Sequence, residues 1–217
     1  MALTKFNFNS FDVTSAASKG LGFNASANGF STINPGAMTL IKTLTASSSS
    51  TLSFVHGSSD VVLDNTYPVY LFKYINCHPS AASTISFNGS IDTGSNYNVT
   101  KTSNSFYALN KEDDSSTALS YNIYQDHSQA TGAQGLVGTL ATDNDSSGSG
   151  ELYIFNPSST TFVKQYIAIA NGSNAQSVNS YTTGYFNTTS AIDAIQFLMS
   201  TGNIDSGTIK LYGISDS

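Results

Sequence analysis

The chain has 217 residues and a net charge of −6; only 10% of its residues are charged, yet 12% are aromatic. That length suits one large domain with a sizeable core, and because disordered chains pair few aromatics with high charge, this one should fold. Its 14 acidic residues face 8 lysines and no arginine, and an acidic chain lacking the guanidinium fork that grips phosphates and base edges is a poor candidate for binding nucleic acid.

Glu, Arg and Lys are the usual surface fillers of helices. Their scarcity beside abundant Ser, Thr, Tyr and Asn predicts strands and turns with almost no helix. There is no apolar run of about 18 residues and no basic, then apolar, then small-residue leader, so neither a membrane span nor a signal peptide is expected.

Along the chain, residues 1–37 place Phe6, Phe8 and Phe11 between polar residues and then turn rich in Gly, Ala, Ser and Asn up to Asn34-Pro35-Gly36. Such a segment has little to bury and ends on a turn signal, so it is read as an extended N-terminal arm or a short strand plus linker. From residue 38 to 217 the texture changes to short runs rich in Val, Ile, Phe, Tyr and Thr, separated by Ser, Asn, Asp and Gly. The runs are 39–44, 51–55, 61–63, 69–75, 84–87, 97–102, 106–109, 120–124, 152–155, 161–170, 181–186, 191–199 and 208–214.

In the run 191–199, Ile195, Phe197 and Met199 share one face, the period-two signature of a strand. The loop 200–207, with Gly202-Asn203 and Ser206-Gly207, is expected to join the last two long strands as an antiparallel pair. Many short strands without helices predict an antiparallel β-sandwich, with a jelly roll as the expected arrangement, although a plain Greek key gives the same texture. The expected core comprises Ile41, Phe54, Val69, Leu71, Ile154, Ile167, Ile169, Ile195, Phe197, Ile209 and Leu211.

Chemistry is thinly marked. His56, His78 and His127 are the side chains that titrate near neutrality, but none sits in a motif. Asp126-His127 lacks any nucleophile elbow. Glu112-Asp113-Asp114 reads as a solvated loop tip. The lone Cys77 excludes an internal disulfide and reads as a small buried residue at a strand end. Asp143-Asn144-Asp145-Ser146-Ser147-Gly148 spaces its oxygens like a calcium loop, yet position twelve is Ile154 rather than Glu and no helices flank it. No catalytic residue, cofactor or metal ligand is therefore expected. The six Asn-X-Ser/Thr triplets, at Asn24, Asn88, Asn98, Asn144, Asn171 and Asn187, are expected by chance in this composition. Two function classes stay open: an assembly module, and a carbohydrate-binding module that the absence of Trp weakens but twelve Tyr keep possible.

The stretches Met38-Thr39-Leu40-Ile41-Lys42-Thr43-Leu44-Thr45-Ala46, Leu52-Ser53-Phe54-Val55-His56-Gly57, Tyr67-Pro68-Val69-Tyr70, Phe155-Asn156-Pro157-Ser158-Ser159 and the closing 202–214 resemble small structural proteins of marine tailed bacteriophages. The resemblance spans about residues 38–217. It implies a non-enzymatic virion protein with a sandwich or jelly-roll fold, a capsid cement or decoration protein bound to the outer face of the major capsid protein shell and assembled in the host cytoplasm. Self-association as a homotrimer is expected, with a tail or fibre module that recognises host-surface glycans as the alternative. No functional residue carries over from the resemblance.

Overall fold

The structure is a computed structural model that describes residues 20–23, 26, 29–33 and 36–215. Phe6, Phe8 and Phe11 lie outside the described residues. Strands β1 (Gly20–Phe23), β2 (Phe30–Ile33), β3 (Met38–Thr45), β4 (Leu52–Val55), β5 (Val69–Pro79), β6 (Ile85–Ser90), β7 (Lys101–Lys111) and β8 (Thr117–Tyr121) come first. They are followed by β9 (His127–Ala130), β10 (Gln134–Gly135), β11 (Gly148–Phe155), β12 (Lys164–Ser173), β13 (Gln176–Phe186), β14 (Ala194–Met199) and β15 (Ile204–Ile214). No helix occurs among the described residues, so none there is long and apolar enough to cross a membrane.

The described residues fall into two units, one within residues 1–39 and one from Leu40 onward. In the first, β1 and β2 pair as an antiparallel ladder from Gly20↔Ile33 to Phe23↔Phe30, and the two Phe rings stack at 5.2 Å. The sequence shows small residues here, yet the two phenylalanines are placed to meet across a ladder.

The second unit is an antiparallel β-sandwich, as expected. One sheet runs β10-β6-β14-β4, and the other runs β3-β15-β5-β11-β12-β13-β7-β8 with β9 also on β7. These pairings establish the sandwich; they do not establish a jelly roll. The large sheet turns Tyr70, Phe72, Tyr74, Leu152, Ile154, Tyr166, Ala168, Phe186, Ile209 and Leu211 inward, against Phe54, Ile85, Phe87, Ile195, Phe197 and Met199 of the small sheet. Rings meet across the gap edge to face, Phe54 with Phe72 at 5.3 Å and Phe87 with Tyr166 at 5.1 Å. That geometry lets the ring quadrupoles attract while each side chain stays out of water.

Four expectations need correction. Ile167 and Ile169 are not core residues: Ile167 is 40% exposed, and Tyr166, Ala168 and Ala170 face inward instead. Both phases of 164–173 carry apolar side chains, so alternation could not choose, and the aromatic cluster around Tyr166 decides. Val69 and Ile41 are only partly buried. The last two long strands do not pair with each other. β14 lies between β6 and β4, whereas β15 pairs with β5 in the other sheet, so residues 200–203 cross from one sheet to the other. Gly202, at φ 73°, supplies the left-handed turn of that crossing. The run 61–63 is not a strand, yet Val61 and Leu63 are buried as anchors of a loop.

Candidate functional site

The three histidines go to three separate places. His56 follows β4, and its Nδ1 accepts the Leu63 N–H at 3.1 Å, closing the loop that buries Val61 and Leu63. His127, half-buried on β9, places Nε2 3.2 Å from the Ala133 carbonyl. Burial is the chief cause holding its pKa below the ordinary value. Its neighbour Asp126 accepts instead from the Tyr121 hydroxyl at 3.0 Å, so the two adjacent residues are committed to different partners.

His78 is the histidine that the fold brings within 4 Å of a carboxylate among the described residues. On β5 its Nε2 is 3.2 Å from the carbonyl of Asp143, and its Nδ1 is 3.9 Å from Asp205 Oδ2. Ser48 Oγ donates to Asp205 Oδ1 at 2.7 Å. The order is thus Ser–Asp–His, with the carboxylate in the middle. A hydrolytic triad needs the imidazole between the hydroxyl and the carboxylate so that the stronger base takes the serine proton, and this arrangement leaves Ser48 unactivated. The cleft beside these groups, lined by Asn76, His78, Asn144, Ser146, Asp205 and Ser206, has a volume of about 330 Å³. Neither Ser48 nor Asp205 carries a sequence signal, since they lie 157 positions apart.

The loop 143–148 borders this cleft and is tied down by its own hydrogen bonds. The Asp143 carbonyl accepts from Ser146 N–H at 2.9 Å, and the Asp145 carbonyl accepts from Ser173 Oγ at 3.0 Å. Ser146 Oγ donates to the Ser173 carbonyl at 2.5 Å and accepts from Ala141 N–H. No group of three or more His, Cys, Asp or Glu side chains suited to a metal ion occurs among the described residues. Glu112, Asp113 and Asp114 form the turn between β7 and β8, where Ser115 hydrogen bonds hold the Asp113 carboxyl below its ordinary pKa. Cys77 is fully buried, and burial pushes its thiol up to about 12, which removes thiolate chemistry.

One part of the surface is apolar. Leu119 and Tyr121 on β8 are 77% and 51% exposed, and Ile123 and Tyr124 just beyond are 66% and 92% exposed. Tyr121 is in register with Phe106, and Phe106 with Tyr181. The Phe106 and Tyr181 rings stack at 5.0 Å, tilted by only 9°. β8 ends the sheet order, so its outer edge has no partner strand among the described residues. It carries no Lys or Pro of the kind that usually blunts such an edge.

Comparison of the chain with protein-family models, with curated proteins and with solved structures finds no match.

Proposed function

We propose that the chain is a structural subunit of a bacteriophage particle, a capsid cement protein that self-associates as a trimer and binds the outer face of the major capsid protein shell. The observation that carries this reading is the exposed apolar set formed by Leu119 and Tyr121 on the edge strand β8 and by Ile123 and Tyr124 in the turn just beyond it. Contiguous exposed apolar residues mark interaction surfaces, and an open edge strand can extend its ladder into another chain. The resemblance of residues 38–217 to phage structural proteins supports the same reading. Cement must bury a specific interface, and about 1,000 Å² is the usual threshold for a stable one.

The coplanar Phe106–Tyr181 pair favours a second reading. Flanked by Asn104, Thr183 and Asn179, it offers a flat ring surface with hydrogen-bonding neighbours, which suits a sugar ring in a tail or fibre module. Quantitative gels of purified virions with antibody-gold labelling separate the two. Cement gives hundreds of copies spread over the head, labelling confined to the tail selects the glycan reading, and absence from the particle defeats both. Leu119→Asp is expected to weaken self-association in sedimentation velocity while leaving the fold intact.

A further inference from the structure

Two lysines point into the interior from the large sheet. Lys164, Phe186 and Lys101 stand in register on β12, β13 and β7, so the two lysines flank one buried ring. Both have 0% exposure, and neither makes an ion pair among the described residues. A buried ammonium without a counter-charge is expensive. The two are satisfied differently. Lys164 Nζ donates to the backbone carbonyls of Thr188 and Ser190, at 3.0 and 2.5 Å. Lys101 Nζ donates to the Val99 carbonyl at 3.0 Å and to the side-chain carboxamide of Asn88 at 2.6 Å.

Asn88 lies on β6 of the opposite sheet and is itself only 4% exposed. Its carboxamide is held on every side. Nδ2 donates to the carbonyls of Tyr97 and Thr131 at 2.6 and 2.9 Å, and Oδ1 accepts from Gly89 N–H at 2.9 Å as well as from Lys101. The Phe186 ring centroid is 5.8 Å from Lys101 Nζ. An amine and a primary amide are therefore pressed together in a buried setting, each on a different sheet.

We infer that Lys101 and Asn88 join in an intramolecular isopeptide bond that ties the two sheets together. The lone pair of the neutral Lys101 amine adds to Asn88 Cγ, and the carbonyl electrons move onto Oδ1, where Gly89 N–H stabilises the developing charge. The Cγ–Nδ2 bond then breaks, and the departing nitrogen takes the proton that Nζ loses and leaves as ammonia. Amine plus primary amide becomes secondary amide plus ammonia, with no oxidant and no cofactor. Burial lowers the Lys101 pKa to about 8, so roughly a tenth of the amine is neutral near pH 7, against far less than a hundredth for an ordinary lysine. Holding the two groups in contact makes the step unimolecular. The product also removes an uncompensated buried charge. Lys164, which faces only backbone carbonyls, has no leaving group before it and stays a lysine.

Intact-mass spectrometry of the unfolded full chain tests this directly. The wild-type protein should weigh about 17 Da less than its sequence, the mass of one ammonia. Trypsin should fail to cut after Lys101, leaving Tyr74–Lys111 as one peptide. Chymotryptic cleavage after Tyr97 should leave its two halves still joined, and Lys101→Met should restore the full mass. A wild-type chain at full mass would overturn the inference without recourse to any variant. So would a lighter chain whose Lys101 is still cut by trypsin, because the ammonia would then have come from a cyclic imide at Asn88-Gly89.

Discussion

Gly184 stands opposite Tyr166 in the β12–β13 ladder, and a Cβ on Gly184 would lie 2.6 Å from the Tyr166 hydroxyl oxygen and 2.6 Å from the Thr102 carbonyl. Gly150 holds the same relation to Tyr74 on β5. These two inward tyrosines are thus accommodated by glycines on the neighbouring strand. The backbone of β7 cannot easily retreat from a methyl group, so Gly184→Ala is expected to destabilise by about 1–3 kcal/mol, as overpacked sites do. Urea unfolding followed by tyrosine fluorescence measures it, and an unchanged midpoint would show that the ring has room to move.

The facing of β14 and of β12 predicts opposite outcomes for two apolar residues, one on each strand. Phe197, fully buried and ringed by Phe54, Phe72 and Phe87, should cost about 3–5 kcal/mol when cut to Ala. Ile167→Ser, on the outward face, should change stability by about 0.5 kcal/mol or less. Comparable losses at both positions would mean that the outward face is also covered.

Alkali should destabilise the protein. Burial is the leading cause that raises Tyr70 and Cys77 each to about 12, and it raises Tyr74 and Tyr166 as well. Between the unfolded and folded pKa values the native state holds more protons, so stability falls as pH rises. The stability of these neutral groups is fully present below about pH 9 and is lost progressively toward pH 12. An unreacted Lys101, depressed to about 8 from 10.5, would add the opposite trend between those values. Urea midpoints in a cross-linked chain should therefore hold to about pH 9 and then fall toward pH 11, with no rise between pH 8 and 10.5.

At the acid end, Asp92 accepts hydrogen bonds from Asn96 and Ser90, which hold its carboxyl down to about 2. Its contribution is present above the unfolded value of 3.8 and fades as pH falls through about 2. Asn96→Ala should move the acid transition to higher pH, read by circular dichroism.

Calcium should leave the thermal midpoint where it is. The carbonyls of Asp143 and Asp145 already accept hydrogen bonds from Ser146 and Ser173, and a ligand bound only by the native state would raise stability in proportion to RT ln(1 + [L]/Kd). Melting with calcium and with chelator provides the check. A rise that vanishes in Asp145→Ala would assign an ion to that loop.

The residues alone determine that this chain is built of strands, because β-branched and aromatic runs alternate with Asn, Ser and Gly turns and nothing carries a helical period. They also determine the sandwich, since sheets without helices bury their apolar faces on one another. Cys77 as a buried strand residue and 112–114 as a turn are legible for the same local reasons. Tertiary structure decided what alternation leaves degenerate. In 164–173 both faces are apolar, and only Phe87 and Phe186, distant in sequence, select the side of Tyr166. A lysine within a strand reads as a solvent-facing residue, and nothing near Lys101 reveals that it enters the core. Its partner Asn88 belongs to the other sheet, and which strands of two sheets face each other is set by packing across the gap, where local spacing carries no information.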